Sequence, residues 1–477
     1  MASTANTAKI YAHVDYEDTY MQPLILAALK SRLPPDLLVL LDRTSPAPPP
    51  GSNYLQWRQY ESLDFDDLLA HPRTTLANSY VIRKALIRKH YLSATVAHWL
   101  SKHPGSLLAR HVKQGVEFEV DYAEFLDEAL VEAFELRESW GRNEGVGEGG
   151  GREWWILKAG MGERGQGVRL FSSEEELGAI FEEWDPVSSD EEDECEDDEE
   201  EEEAAQHSAD DEATPPPTLP ATAQPPPPPS HPNTPANGII TTHLRHFTAQ
   251  PYIHPPLLLP APHPSAGRKF HIRTYVLCVG ALQVLVYKPM LALFASAPYA
   301  APSVANAGDL RRHLTNTCLQ TGEREGSVHA FWDLPQHLPA LSPPYSLPPP
   351  DAETRSSEQK QDDWRTTVFA QICLITAETF QAAAQTMGVH FQPLPNAFEV
   401  FGVDFMVDAQ GAVWLLEVNA FPDFAQTGGE LKGVVEGLVN EVVEVGVKGF
   451  FGLAGSEKAE SKAEGMVEVL DLDLGRR

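Results

Sequence analysis

The sequence predicts a mixed α/β (α+β) fold that is interrupted by an acidic and proline-rich insertion. Three features lead to this prediction: an opening with the pattern of a β-α-β unit, later apolar segments spaced like paired strands, and a central stretch with neither pattern. With 477 residues the chain is long enough for about three ordinary domains. Changes in composition divide it into residues 1–78, 79–184, 185–236, 237–453 and 454–477.

The first subdomain, residues 1–78, begins with alternating element types. "AKIYAHVD" has the composition of a buried strand, "TYMQPLILAALKSRL" that of an amphipathic helix, and "DLLVLLD" that of a second strand. A proline-rich stretch then ends the unit. This order predicts a β-α-β unit at the start of the chain.

Residues 79–100 predict a helix at the start of the second subdomain. Lys84 and Arg88 are four residues apart, so they fall on one face of that helix, next to Lys89. Such a basic face is either a solvated surface or a docking surface for an acidic partner.

A glycine-rich loop follows a strand-like segment that carries Lys158. The loop, Gly160–Gly167, matches the pattern GxGxxG, but a strand-like "VRLF" follows it where a dinucleotide-binding fingerprint requires a helix. Strand, loop and strand form either a phosphate-binding flap or an ordinary mobile hairpin. In a flap, Gly162, Gly165 and Gly167 let backbone amides approach phosphate oxygens, and Lys158 neutralises their charge.

Residues 185–236 predict a disordered insertion. Between Asp190 and Glu203 there are 13 acidic residues, and a proline-rich stretch follows. Like charges repel and prolines prevent regular pairing, so a packed domain is not expected here. The formal net charge of the whole chain is −33, which argues against general binding to nucleic acid or to an anionic membrane.

The spacing of the cysteines and the length of the apolar segments indicate the cellular compartment to expect. Cys195, Cys278, Cys318 and Cys373 show no CxxC spacing, which predicts neither a zinc site nor a disulfide framework and favours a reducing compartment. The sequence contains neither a basic, apolar leader nor a run of roughly 18 apolar residues. We therefore expect a soluble, cytoplasmic chain without a membrane segment.

The fourth subdomain begins with two strands that predict a hairpin, "RKFHIRTYVLCVG" and "LQVLVYKPML", joined by a short "GA" turn. A helix is expected around Trp364 to Met387. The last 24 residues are charged and weakly patterned, which predicts a flexible tail.

Polar side chains interrupt two apolar strands in "FEVFGVDFMVDAQGAVWLLEVNAFPD". Glu417 and Asn419 are two residues apart and therefore share a face. A four-residue loop from Ala409 to Ala412 would place Asp404 directly opposite Glu417. Buried groups of this kind are costly without partners. Carboxylate and amide oxygens fit Mg²⁺, which prefers such ligands together with nucleotide phosphates.

These motifs, with "QPYIHPPLLL" and "HLTNTCLQ", occur in the order seen in tubulin-tyrosine ligase and related ligase-like proteins, and the chain resembles that family over about residues 79–453, apart from the insertions. The resemblance implies an ATP-grasp fold with an N-terminal Rossmann-like subdomain, and ATP and Mg²⁺ as cofactors. His313 and Asn316 belong to the "HLTN" motif beside the active site.

The resemblance also implies roles for individual residues. Arg273 lies beside the acceptor carboxylate and acts in catalysis with Glu417, while Lys84, Arg88 and His271 complete the acceptor site. Asp404, Glu417 and Asn419 hold the metal. The residues expected to bind the nucleotide are Lys158, Gly162, Gly165, Gly167, Gln250, Ile253, Lys269 and Asn419.

Two departures from the family pattern concern the same site. His271 stands where the family typically has aspartate, and Leu293 stands where it usually has an arginine that holds a phosphate or a carboxylate. Lys288, Arg311 and Arg312 are candidates to replace the missing charge.

The activity implied is ligation: ATP phosphorylates an acceptor carboxylate, and the amine of an amino acid displaces the phosphate. The expected substrates are the acidic C-terminal tail of tubulin and a free amino acid, tyrosine first, and we expect a monomer. Two alternatives remain: transfer of glutamate to a side-chain carboxylate, or a nucleotide-binding scaffold without catalysis. The acidic insertion is a further candidate occupant of the acceptor groove.

Overall fold

The structure is a computed structural model. It describes residues 8–146, 151–160, 167–184, 246–315, 326–338, 363–427, 431–453 and 465–475. The predicted insertion of residues 185–236, the loop residues Gly162 and Gly165, and Asn316 lie outside these ranges.

The N-terminal sheet confirms the predicted β-α-β opening. Its four strands are all parallel, in the order β2-β1-β3-β4, and α1 makes the crossover from β1 to β2. Apolar residues of β1 and α1, among them Ile10, Ile25 and Leu29, are fully buried between them. The elements are β1 (Ile10–Asp15), α1 (Met21–Arg32), β2 (Leu38–Leu41), β3 (Asn53–Arg58), α2 (Phe65–Ala70) and β4 (Thr75–Ala77).

The helix predicted over residues 79–100 is not continuous. It consists of α3 (Lys84–Ile87) and α4 (Lys89–Lys102), followed by α5 (Leu108–His111). Arg88 separates α3 from α4 with an extended backbone, φ −101° and ψ 125°, so it does not share a helical face with Lys84.

Tertiary contacts explain this break. The apolar residues of α3 and α4 are buried in one core, and the backbone N–H of Ala85 donates to the carbonyl of His390. Packing of this kind overrides local helix propensity. The predicted single basic face is therefore wrong.

The central sheet is antiparallel, with strand order β5-β8-β6-β7. β6 and β7 pair on either side of the glycine-rich loop, as the strand-loop-strand pattern predicts. The predicted boundary at residue 237 needs correction, because β8 lies beyond the insertion yet pairs with β5 and β6. The elements are β5 (Val116–Glu119), α6 (Leu126–Ala129), α7 (Phe134–Asn143), β6 (Trp155–Ala159), β7 (Arg169–Phe171), α8 (Glu174–Trp184) and β8 (His246–Pro251).

The third sheet is the largest and is antiparallel throughout, with β9 paired to β10, β11 and β13, and β13 paired to β14. The predicted hairpin is confirmed, and Gly280 in its turn has φ +58°, a conformation that favours glycine. The elements are β9 (Phe270–Val279), β10 (Gln283–Tyr287), β11 (Leu291–Phe294), α9 (Leu310–His313), β12 (Val328–Ala330), α10 (Trp364–Thr386), β13 (Phe398–Val407), β14 (Val413–Ala420), α11 (Lys432–Val442), a π-helical segment (Val443–Val447), α12 (Lys448–Phe450) and β15 (Met466–Asp471).

The chain's last described residues correct the predicted tail. β15 pairs antiparallel with β10, and the backbones of Leu282 and Leu472 exchange two hydrogen bonds. Sequence gives a weak signal here because the segment is short and charged, and pairing with an existing edge strand is a long-range event.

The large sheet carries a core on each face. The helix α10 packs on one face together with α4, and α1 and α11 pack on the other together with the N-terminal sheet. This arrangement leaves the ends of β9, β13 and β14 facing the central sheet. Within the described ranges no helix is long and apolar enough to span a membrane.

Candidate active site

A cavity of about 580 Å³ lies where the central sheet faces the large sheet. Most of the site residues predicted from sequence line it, although they come from separate strands and from the segment between α3 and α4. Lys84 and Gly167 are not among its lining residues, so the structure does not bring them to this site. The predicted residues that line the cavity are Arg88, Lys89, Lys158, Gln250, Ile253, Lys269, His271, Arg273, His313, Asp404, Glu417 and Asn419.

The acidic part of the cavity comes from the β13–β14 pair. Asp404 pairs directly with Glu417 in the strand register, as predicted, and a register shift follows immediately after Asp404. The Nδ2 atom of Asn419 donates to Asp404 Oδ2 and to Glu417 Oε1, each at 3.3 Å. The three side chains therefore form one cluster.

Glu417 is the more accessible carboxylate, with 30% of its side chain exposed. Its Oε2 lies 3.9 Å from Lys89 Nζ. Burial by itself raises the pKa of Glu417, but the charges of Lys89 and Lys158 outweigh that effect and lower the pKa to about 2. Glu417 is therefore an anion throughout the physiological range.

Asp404 is held by Arg273 on the neighbouring strand β9. Nε and Nη2 of Arg273 donate to the two carboxylate oxygens at 2.5 and 3.0 Å, a bidentate ion pair in the interior. Burial lowers the pKa of Arg273, but the charge of Asp404 and the hydrogen bonds to it raise the pKa above its usual value. Gly402 makes room for this pair, because a Cβ there would lie 2.7 Å from Pro422 and 3.3 Å from Arg273.

The donor set fits Mg²⁺. In the described residues no three His, Cys, Asp or Glu side chains form a metal-binding group, and this cluster offers two carboxylates and an amide instead. Mg²⁺ is usually bound through one or two carboxylates while water and phosphate oxygens fill its other positions. Asp404, Glu417 and Asn419 would hold such an ion together with a polyphosphate.

Two lysines line the same cavity, Lys158 partly buried and Lys269 buried. Lys158 on β6 donates to Gln250 Oε1 at 2.9 Å, and burial lowers its pKa to about 8. Lys269, just before β9, donates to Tyr252 Oη at 2.9 Å, and burial together with the charge of Lys158 lowers its pKa to about 7. Among the described residues neither lysine has a carboxylate at hydrogen-bonding distance, so both can interact with an anionic ligand.

His271 and Leu293, the two residues that depart from the family pattern, are direct neighbours in the sheet. Leu293 on β11 pairs with His271 on β9 in the strand register, and both side chains line the cavity. His271 Nδ1 is hydrogen-bonded to Thr315, and its buried Nε2 has no hydrogen-bond partner among the described residues. Burial lowers the pKa of His271, so the imidazole is neutral and the pair is uncharged.

The suggested substitutes for the missing arginine lie elsewhere. Arg311 and Arg312 both donate to Asp309 at 2.9 Å, and Lys288 lies 5.6 Å from the ring of Trp332. None of the three lines the cavity. The sequence-based suggestion is therefore wrong.

Sequence reasoning missed several cavity residues. Arg83 and Tyr60 line the cavity but precede the recognisable motifs. The sequence predicts Lys89 only as part of a docking surface, and its approach to Glu417 is not predicted. No local pattern distinguishes these residues, because their positions depend on contacts between distant parts of the chain.

The arrangement defines the class of protein: two antiparallel sheets enclose a cavity with lysines on one side and facing carboxylates on the other, which is the ATP-grasp fold. A solved structure supports this assignment. The C-terminal domain of Kluyveromyces lactis Pby1, described as an ATP-grasp enzyme interacting with the mRNA decapping enzyme Dcp2, is 32% identical and superposes with a TM-score of 0.62 over 98% of this chain and 99% of that one.

The chain belongs to the tubulin-tyrosine ligase family, whose model matches residues 71–342 and 349–452. It is 40% identical to a probable tubulin–tyrosine ligase of Schizosaccharomyces pombe over 97% of both chains. It is also 36% identical to the probable tubulin–tyrosine ligase PBY1 of Saccharomyces cerevisiae, over 86% of this chain and 48% of that protein.

Proposed function

We propose that this chain is an ATP-dependent carboxylate–amine ligase of the tubulin-tyrosine ligase type. The γ-phosphoryl group of ATP passes to an acceptor carboxylate, which gives an acyl phosphate and ADP. The amine of a free amino acid then attacks the acyl carbon, so that an amide forms and phosphate leaves. The observation that carries this proposal is the pairing of Asp404 with Glu417 in the cavity that Lys158 and Lys269 also line.

Positioning and charge neutralisation supply the catalysis in this proposal. Lys158 and Lys269 bind phosphate oxygens, and Gln250 and Ile253 line the nucleotide end of the cavity. Mg²⁺, when bound, neutralises charge on the transferring phosphoryl group. Lys89 adds a cation beside Glu417, which compensates in part for the uncharged Leu293.

The role proposed for Arg273 follows from its donors. A guanidinium group has five N–H donors, and Asp404 accepts from Nε and Nη2. The edge formed by Nη1 and the second N–H of Nη2 is left for the acceptor carboxylate, so Asp404 fixes the orientation in which Arg273 presents that edge.

For the substrates we propose an acidic protein tail, the C-terminal tail of tubulin first, and tyrosine as the amino acid. The names of the relatives support this choice, and Arg88 and Lys89 provide cations at the cavity for an acidic tail. Lys84 lies away from the cavity and is no longer part of the proposed acceptor site.

Mass spectrometry of tubulin after incubation with the chain, ATP, Mg²⁺ and either tyrosine or glutamate tests the proposal. A mass increase of one tyrosine residue that is abolished by Glu417→Gln supports it. A glutamate adduct would change the product but retain the ligase. The absence of any adduct, in a preparation that binds ATP and loses that binding on Lys158→Ala, would exclude ligation of tubulin.

A second candidate is a nucleotide-binding scaffold, favoured by Leu293 at the position of the family arginine. The structural neighbour that interacts with a decapping enzyme makes Dcp2 the partner to test. Co-purification of the chain with Dcp2, unchanged by Glu417→Gln, would support this candidate. Because Leu293 pairs with His271, the matched gain-of-function variant is the double substitution Leu293→Arg with His271→Asp. An adduct formed only by that variant would identify the wild-type chain as the scaffold.

A further inference from the structure

The cavity continues past the carboxylate cluster to a second end. This end is built by the segment after β3 and by the turn after β14, together with Arg83 from the segment before α3. None of these residues belongs to the proposed nucleotide site. The lining residues here are Gln59, Tyr60, Glu61, Phe421, Pro422 and Asp423.

Arg83 is held firmly at this end. Its guanidinium carbon lies 3.8 Å from the ring centroid of Tyr60 and 5.5 Å from that of Phe421, and its Nε lies 2.8 Å from Glu399 Oε1. Only 9% of its side chain is exposed, yet it lines the cavity. A planar cation fixed in this way loses little conformational entropy when it binds a carboxylate.

Glu399 is itself anchored at its second oxygen. Its Oε2 accepts from the backbone N–H of Tyr80 at 3.1 Å, and the side chain is almost fully buried. The orientation of Arg83 is therefore set from the protein interior and not by solvent.

Phe421 has an unusual backbone. Its φ of +48° is in the left-handed region, which a bulky residue rarely adopts, and strain of this kind occurs at ligand clamps. It follows Asn419 by two residues, directly after the strand that carries Glu417. The ring of Phe421 contacts Tyr16 and lies 5.5 Å from the guanidinium carbon of Arg83, which lines this end of the cavity.

The charges at this end suit a zwitterion. Arg83 provides a cation, and Glu61 and Asp423 are exposed carboxylates on the lining. The α-carboxylate of a ligand can pair with Arg83, but a second carboxylate on the ligand's side chain would be repelled by Glu61 and Asp423. An acidic peptide would be disfavoured here for the same reason.

We propose that this end of the cavity binds the incoming amino acid, with its α-carboxylate on Arg83 and its side chain against Tyr60 and Phe421. Its amine then points toward Glu417 and the activated acceptor. Glu61 and Asp423 select against acidic amino acids. The inference rests on the proposed ligase function, which supplies a reason for a free amino acid to enter the cavity.

Titration calorimetry on the full chain, loaded with Mg²⁺ and a non-hydrolysable ATP analogue, tests this assignment. Each of the twenty common amino acids is titrated, and then the carboxamide of the best binder. The variant is the double substitution Arg83→Met with Glu399→Gln, because removing Arg83 alone leaves Glu399 buried without its cation. Arg142→Gln is the control, since Arg142 pairs with Glu153 at the surface, outside the cavity.

We expect a non-acidic amino acid to bind best and its carboxamide to bind on the order of 10- to 100-fold more weakly, because a hydrogen-bonded charge pair is lost. The double variant should lose this preference and keep its affinity for the nucleotide analogue. Glu61→Gln, a surface change that leaves the fold intact, should bring the affinity for glutamate closer to that of the best binder.

Three outcomes would overturn the assignment: no amino acid binds the loaded wild type, the preference over the carboxamide survives in the double variant, or glutamate binds best. Binding of an acidic peptide that Arg83 controls would assign this end to the acceptor instead. In each of these cases retained nucleotide binding leaves the ligase proposal intact, whereas failure of the wild type to bind nucleotide would refute that proposal itself.

Discussion

Two glutamates on paired strands of the large sheet, Glu399 in the interior and Glu417 partly exposed at the cavity, have pKa values shifted in opposite directions. The pKa of Glu417 on β14 is lowered to about 2, whereas that of Glu399 on β13 is raised to about 7. Burial raises the pKa of both. The charges of Lys89 and Lys158 outweigh burial at Glu417, whereas the charge of Arg83 and the hydrogen bonds from Tyr80 and Ser79 do not outweigh it at Glu399.

This difference separates a functional carboxylate from a supporting one. Glu417 reaches the cavity and stays ionised, as its proposed role as a metal ligand requires, while Glu399 lies in the interior and pairs with Arg83. Burial is therefore a poor guide to function, and the number of nearby cations together with access to the cavity is a better one.

Removal of the charge at Glu417 is expected to have the largest effect. Glu417→Gln keeps the shape of the side chain but removes the carboxylate that the proposed reaction places beside the transferred phosphoryl group, so turnover should fall by about 100- to 1000-fold. Amide formation followed by mass spectrometry measures turnover, and circular dichroism checks the fold. An active Glu417→Gln variant would contradict the metal-binding role.

Removal of Glu399 should affect stability before activity. Glu399→Ala takes away the partner of a buried arginine and the acceptor of the Tyr80 N–H, which should cost about 3 kcal/mol of unfolding free energy. Urea denaturation measures this loss. A variant as stable as the wild type would show that Arg83 does not depend on Glu399.

The contributions of Glu399 and Glu417 to the free energy of unfolding should change in opposite directions with pH. The pKa of Glu399 rises from 4.5 to about 7 on folding, so its contribution to stability is present below pH 4.5 and is lost as the pH rises toward 7. The pKa of Glu417 falls from 4.5 to about 2, so its contribution is present above pH 4.5 and is lost as the pH falls toward 2. Denaturation of the wild type, Glu399→Gln and Glu417→Gln from pH 2 to pH 8 separates the two, and parallel curves would contradict the comparison.

The lysines of the nucleotide end should make binding depend on pH. Burial lowers the pKa of Lys158 to about 8 and that of Lys269 to about 7, so both are partly neutral at pH 8, and bound polyphosphate should restore their charge. Binding of MgATP should then take up protons at pH 8, and its affinity should fall by roughly tenfold between pH 7 and pH 9. Calorimetry in buffers of different ionisation enthalpy measures the uptake, which should decrease in Lys269→Met.

The smallest effect is expected at Lys84. It is exposed and does not line the cavity, so Lys84→Gln should change stability by less than about 0.5 kcal/mol and leave the affinity for an acidic peptide unaltered. Arg88→Gln, at a lining residue, is the matched comparison and should weaken peptide binding. An equal loss of peptide affinity in the two variants would show that Lys84 and Arg88 act together, as the basic face predicted from sequence requires.

The sequence by itself determined the parts of the protein that depend on local pattern. The β-α-β opening, the β9–β10 hairpin and the pairing of Asp404 with Glu417 follow from alternating apolar residues and short turns, because neighbouring strands joined by a tight turn have few possible registers. The position of Lys158 on a strand just before the glycine-rich loop also follows from the local sequence pattern.

Only the tertiary structure decided the rest. Three features depend on contacts between segments far apart in the chain. They are the helix break at Arg88, the pairing of β15 with β10, and the position of β8 between β5 and β6 in the central sheet. Local propensity does not encode such contacts, since packing free energy sets them once the core forms. For the same reason Arg83, on which the proposed amino-acid site depends, becomes visible only when Glu399, Tyr60 and Phe421 are brought around it.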